Sequence, residues 1–249
     1  ASNRHGRPRP QCAEARLLSR MTPRRVGLYA VLALCVGTFA YFVTGAPPEI
    51  ERCERFTPVN QPLIAHAGGG LPNAAYTNGL EALELAASHG FHLIELDFRS
   101  TPEGVAFGHD PKRLSPLTFD QLMAFLRRNP RVSIVTDFKS DNVAGLRRLA
   151  ELAGAERNRF VPQIYRFEEL QPVTDMGYPR PILSVYRDPD FGWPIRANNV
   201  PVRAVTMPYR LRYLAGLIDH PVYLHTVNQA VPGYGLYTDC LIPANSTAT

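Results

Sequence analysis

From Leu63 onward, short apolar runs with few charges alternate with stretches in which apolar residues return every three or four positions. The runs predict eight strands, at 63–67, 92–98, 132–138, 160–165, 181–186, 204–209, 222–228 and 234–241. The stretches between them predict helices, the clearest at 78–90, 118–130, 142–155 and 210–218. Strands that are apolar along most of their length are buried on both faces, as parallel strands covered by helices are. Eight of them alternating with helices point to an α/β fold, a parallel (β/α)8 barrel of the TIM type. An open doubly wound sheet is the competing arrangement.

The region before the barrel reads differently. Val26 to Thr44, "VGLYAVLALCVGTFAYFVT", holds no charged residue in 19 positions. As a helix it would rise roughly 28 Å, close to the thickness of a bilayer's hydrocarbon core. The expectation is an N-terminal transmembrane helix. Seven arginines against Glu14 in residues 1–25 place the N-terminus in the cytoplasm and the barrel outside it, periplasmic or extracellular. "TFA", Thr38 to Ala40, resembles a signal-cleavage site, so a barrel secreted after cleavage is the alternative. The resulting division is a basic tail at 1–25, an anchor at 26–44, a proline-containing linker at 45–62 and the barrel domain at 63–249. Met21 opens a complete targeting signal by itself, so residues 1–20 carry no assigned role.

Charge then narrows the partners. The chain's formal +5 less the +6 of residues 1–25 leaves −1 for residues 26–249, which excludes a nucleic-acid-binding surface on the barrel by charge. Of the four cysteines, only Cys53 and Cys240 could share an exported domain, and a bridge between them is expected; two unrelated buried thiols are the other reading. Cys35 follows Leu34 where a lipidation motif needs a small residue, and is set aside.

Candidate chemistry lies at the strand ends, where a barrel carries its active site. The polar exceptions there are His66, Glu95 and Asp97, Asp137 and Lys139, Gln163 and Tyr165, and His225 and Asn228. Glu95 and Asp97, two residues apart on a strand, share a face. With Asp137 they form an all-oxygen set suited to one divalent cation, Mg2+ or Ca2+, rather than zinc. His66 and His109 are candidates for a general acid and base pair, since imidazole titrates near neutral pH. Lys139 shares a face with Asp137. In a chain that uses arginine for 25 of its 27 cationic residues, it offers a compact charge for a phosphate oxygen. Gln163 is the second candidate substrate contact. The glycines of "HAGGG", 66–70, could bring backbone amides to an anion. No Gly-x-Ser-x-Gly elbow is present to support a serine hydrolase.

"IAHAGGG", the stretch from Tyr76 to Asp110 with "IELDFRSTPEGVAFGHD" at its end, "DFK" at 137–139 and "YTD" at 237–239 resemble the glycerophosphodiester phosphodiesterase family. The resemblance implies a parallel barrel, His66 and His109 as acid and base, Glu95, Asp97 and Asp137 as metal ligands, and Lys139 on the phosphate. The sequence departs from that pattern at Ala67, where the family has arginine, and at "YTNG", 76–79, where it has Pro-Glu-Asn-Thr. Asp137 stands where many members have glutamate; with Lys139 it is similar to sphingomyelinase D. The variant stretch also resembles a phosphatidylinositol-type phospholipase C subgroup. The expected activity is metal-dependent hydrolysis of glycerophosphodiesters or phospholipid head groups. A catalytically inactive module that binds phosphate-containing envelope polymers is the alternative.

Overall fold

The computed structural model describes residues 23–44, 61–186 and 192–241. Contacts divide the chain into two units, Ala1–Gly45 and Ala46–Thr249. The first contains one helix, α1 (Pro23–Thr44), where the charge-free run predicts it. Its described side chains lie between Gly27 and Gly37, and Leu28, Val31, Leu32 and Val36 among them are exposed. Among the described residues no helix is long and apolar enough to cross a membrane, so the expected transmembrane span is not shown.

Among its described residues the second unit carries nine strands in one sheet: β1 (Leu63–Ala65), β2 (Leu93–Thr101), β3 (Gly104–Phe107), β4 (Ser133–Phe138), β5 (Phe160–Ile164), β6 (Ile182–Ser184), β7 (Ala204–Pro208), β8 (Val222–His225) and β9 (Gly235–Thr238). β1 pairs in parallel with both β9 and β2, which closes a barrel of eight parallel strands. β3 lies outside that ring, as the antiparallel arm of a hairpin on β2. The helices are α2 (Leu80–Ser88), α3 (Phe119–Arg128), α4 (Asn142–Ala153), α5 (Leu170–Asp175) and α6 (Trp193–Asn198). Thr118 and Gln121 form a capping box at the start of α3, and Asp141 caps α4 through the Ala144 N–H. The stretch expected as a helix at 210–218 winds instead as a 3-10 run, Tyr209–Leu217. None of its residues is fully buried; Tyr209, Leu211, Leu214 and Ala215 pack on the core only in part.

Strand parity sorts the barrel into layers. Residues pointing outward, such as Ile94, Leu96 and Phe98 of β2, join the large core between sheet and helices. Those pointing inward at the lower level, Ile64, Val135, Val161, Ile182, Ala204, Tyr223 and Tyr237, with Leu93 packed on them, form a separate apolar plug. Two residues further along each strand, on the same face, the chain carries His66, Glu95, Asp137, Gln163, Ser184, Thr206, His225 and Asp239. All eight inward positions turn from apolar to polar in one step, and the polar ring faces the C-terminal mouth of the barrel.

α4 is held against the sheet by close backbone approach. A Cβ at Gly145 would stand 2.3 Å from the Phe138 ring, and Phe138 ends the strand that carries Asp137. Gly145→Ala is expected to destabilise the barrel by about 1–3 kcal/mol, the usual cost of overpacking. The loss should read as a lower denaturant midpoint at unchanged slope; an unchanged midpoint would refute this packing account.

Candidate active site

The parallel register sets Asp97 of β2 directly beside Asp137 of β4, with Glu95 one inward step below Asp97. One oxygen from each of the three lies within 4.8 Å of the others, and all three residues are buried. Asp97 is gripped by Asn78, which donates from Nδ2 to Oδ2 at 2.8 Å and accepts the Asp97 backbone N–H at 2.8 Å. Glu95 Oε2 accepts the Ala67 N–H at 2.7 Å. Asp137 Oδ1 accepts a short hydrogen bond from the Tyr165 hydroxyl, and its Oδ2 lies 2.6 Å from Lys139 Nζ. Lys139 Nζ also stands 2.8 Å from Asp97 Oδ1, an ion pair without hydrogen-bond alignment.

Two carboxylate oxygens, Glu95 Oε1 and Asp97 Oδ1, are thus buried with no hydrogen bond. Glu95 Oε1 has no hydrogen bond and Asp97 Oδ1 meets only the Lys139 ammonium; buried carboxylate oxygens of this kind in an all-oxygen set are what a hard divalent cation needs, so the residues present fit one. Burial, then the Asp97 charge, pushes the Glu95 pKa up to about 8. Burial works against the charge of Asp137 too, but Lys139 and Tyr165 hold its pKa below the ordinary value.

His66 follows β1 in a 3-10 turn and is buried. Its Nδ1 lies 2.8 Å from Asp239 Oδ1, and Nε2 lies 3.9 Å from Glu95 Oε2. Although burial disfavours the imidazolium, the Asp239 hydrogen bond and the Glu95, Asp239 and Asp97 charges raise the His66 pKa. The Asp239 pKa is lowered despite burial, chiefly by His66. An ionised carboxylate only accepts, so Nδ1 carries the proton and Nε2 is left for chemistry. Asp239 is held as Asp97 is: Asn228 donates from Nδ2 to its Oδ2 at 3.2 Å and accepts its backbone N–H at 2.7 Å. Gly70 is the neighbour that this closeness demands, since a Cβ there would fall 1.9 Å from the Asp239 carbonyl oxygen.

The other sequence candidates take different places. His109 lies exposed on the loop after β3, held by Arg99, which donates to the carbonyls of Gly108 and His109. Its ring is 6.4 Å from that of Tyr76, which in turn stands edge-on 4.6 Å from His66. The two histidines are therefore linked through Tyr76 and not by contact. Gln163 is engaged at both ends, donating to the Tyr165 hydroxyl and accepting from the Tyr237 hydroxyl, each at 3.0 Å. That makes it a brace for two tyrosines before it is a substrate contact. In "HAGGG" the Ala67 amide is taken by Glu95 and the Gly69 amide by the His66 carbonyl. Cys240 is disulfide-bonded and Cys35 is free; Cys53 lies outside the described residues.

Several site residues carried no assigned role in the sequence. Asp239, Asn78 and Asn228 support His66 and Asp97; the "YTD" and "YTNG" stretches hint at the first two, and Asn228 reads there only as a polar strand end. His225, noted only as a polar strand end, lies 5.0 Å from the His66 ring and stacks on Tyr237 at 4.7 Å. Burial, then His66, pushes its pKa down to about 3, so it is neutral where His66 is charged. Tyr76 is pushed up to about 12 by burial and the Asp239 charge.

No protein-family model and no curated protein matches this sequence. Solved structures share its fold. A glycerophosphodiester phosphodiesterase from Parabacteroides distasonis aligns with TM-score 0.55 at 15% identity, over 74% of this chain and 94% of that one. One from Agrobacterium tumefaciens aligns with TM-score 0.52 at 14% identity, over 73% and 96%. An Oleispira antarctica phosphodiesterase in complex with the product sn-glycerol-3-phosphate aligns with TM-score 0.56 at 12% identity, over 72% and 92%. At these identities the likeness is one of fold.

The shifts of Glu95 and His66 share a sign. Both favour the folded protein in their protonated forms, Glu95 between 4.5 and about 8 and His66 above 6.5. With chelator present, the melting temperature is therefore expected to fall as pH rises from 5 to 8. Glu95→Gln should flatten the slope, and added Mg2+ should oppose it by favouring the ionised carboxylate. A chelated protein whose melting temperature is flat or rising over that interval would contradict these assignments.

Proposed function

We propose that this chain is a phosphodiesterase of the glycerophosphodiester phosphodiesterase type, a metal-dependent hydrolase of glycerophosphodiesters or phospholipid head groups. The observation that carries the proposal is the buried Glu95, Asp97 and Asp137 cluster, with two oxygens that make no hydrogen bond, beside the His66 and Asp239 dyad. The fold shared with phosphodiesterases at low identity supports it. So does the sequence resemblance, which runs through the same residues.

In this reading Glu95, Asp97 and Asp137 hold one divalent cation, Mg2+ or Ca2+. When bound, it supplies Lewis-acid polarisation of a phosphoryl oxygen. His66 moves one proton at Nε2, with its Nδ1–H fixed on Asp239 and its charged form favoured by the carboxylates. His109 moves the other from the rim. Between them, the proton of the attacking hydroxyl is accepted, the bond from phosphorus to the leaving oxygen breaks, and that oxygen is protonated. The attacking group is water or a neighbouring hydroxyl of the substrate. Tyr76 lies between the two histidines and bounds the space where the ester would sit. Lys139 supplies positive charge to the phosphate, and Gln163 holds Tyr165 against Asp137.

The same proposal puts the barrel outside the cytoplasm, tethered through residues 26–44 or released after them. The arginines preceding that segment, its exposed apolar side chains and the disulfide at Cys240 support this location.

The test is cleavage of a panel of glycerophosphocholine, glycerophosphoinositol, lysophospholipids and phosphatidylinositol with Mg2+, Ca2+ or chelator. Turnover is expected only with a cation, and His66→Ala and His109→Ala should each lower kcat by about 100- to 10,000-fold. Cation binding without turnover of any substrate would favour the binding-module reading. Turnover that survives both substitutions would refute the two-histidine mechanism.

A further inference from the structure

Lys139 does not extend freely toward a substrate. Its ammonium is seated between two carboxylates, 2.8 Å from Asp97 Oδ1 and 2.6 Å from Asp137 Oδ2. These carboxylates belong to the cluster that would hold a cation, and Asp97 Oδ1 is one of its two oxygens without a hydrogen bond. A divalent ion bound through those oxygens would lie about 2.0–2.6 Å from them. An ammonium in contact with the same atoms would then face a doubly charged neighbour at close range, which the buried setting screens poorly.

The structure also indicates which partner yields. Asp97 is fixed by Asn78 on its other oxygen, and Asp137 by Tyr165. The Lys139 backbone is pinned to the sheet, its N–H donating to the Phe98 carbonyl at 2.9 Å. What remains free to move is its flexible aliphatic stem, and the side chain retains 13% exposure beside carboxylates of 0% and 7%. The exit therefore leads from the cluster toward the barrel mouth.

Resting on the phosphodiesterase reading, we propose that Lys139 is a displaceable counter-ion. A divalent cation entering the carboxylate cluster expels the Lys139 ammonium, and the released ammonium becomes part of the phosphate seat. Cation and phosphate then bind in order, each favouring the other through one side chain. Until displaced, the lysine offsets charge that the buried aspartates would otherwise leave uncompensated.

The test uses the full chain, which has only two lysines, Lys139 and the exposed Lys112. Amine acetylation read by mass spectrometry is expected to spare Lys139 in chelator and to reach it severalfold faster once Mg2+ is bound. Lys112 should react equally in both conditions. Lys139→Met should bind Mg2+ more tightly, by about tenfold, in calorimetric titration. Inorganic phosphate should bind wild type better with Mg2+ than without, and Lys139→Met should lose most of that gain. Bound Mg2+ with no change in Lys139 reactivity would overturn the exchange, as would equal or weaker Mg2+ binding by the variant. If wild type binds no Mg2+ or Ca2+ at all, the underlying phosphodiesterase reading fails instead.

Discussion

The cost of burying Glu95, Asp97 and Asp137 side by side governs the rest of the site. An unpaired buried carboxylate is among the most unfavourable groups a protein interior can hold, and three within reach of one another add mutual repulsion. Nearly every polar contact around them can be read as part of the answer. Asn78 clamps Asp97, Ala67 donates to Glu95, Tyr165 donates to Asp137, and Lys139 bridges the two aspartates. His66 faces Glu95 with its proton-bearing side fixed by Asp239. These groups leave Glu95 Oε1 without a hydrogen bond and Asp97 Oδ1 with the Lys139 ammonium alone, which is where the chemistry of a cation would enter.

Holding that arrangement strains the backbone at identifiable places. Among the described residues, the non-glycine positions with left-handed φ are Ala67, Tyr76, Asn78 and Thr226, all on loops at the barrel mouth. Such conformations cost about 1–3 kcal/mol each, and each one here delivers a contact. Ala67 aims its N–H at Glu95, Tyr76 lays its ring against His66, Asn78 presents both ends of its amide to Asp97, and Thr226 meets His225 Nδ1 at 2.9 Å. Strain clustered where the contacts converge is better explained by a built site than by ordinary turns.

The barrel was legible because its strands are apolar runs with periodic helical stretches between them, and that contrast survives without any knowledge of tertiary contacts. Glu95, Asp97 and Asp137 were legible for a related reason: a charge at the end of an apolar strand has no other excuse. Ser184 and Thr206 occupy the same ring, but a small hydroxyl at a strand end is commonplace in sequence, so they carried no signal. Asn78, Asn228 and Asp239 were obscured differently. They act through pairings across loops, 19 residues apart for Asn78 and Asp97, 11 for Asn228 and Asp239 and 173 for His66 and Asp239, which no local pattern encodes. The 3-10 run at Tyr209–Leu217 shows the opposite failure, in which helical spacing is present but its apolar face is only partly buried.

The polar ring also explains how a shared fold can accompany identities of 12–15%. Closing the barrel requires only that each strand be apolar outward and at its lower inward level, and many residues meet that demand. The step from plug to ring, two residues along each strand, is a requirement of position more than of identity. It is met here by histidine, glutamate, aspartate, glutamine, serine and threonine on different strands. Chemistry then depends on which ring members are charged and on the loops that brace them, so it is carried by a few residues and not by the fold.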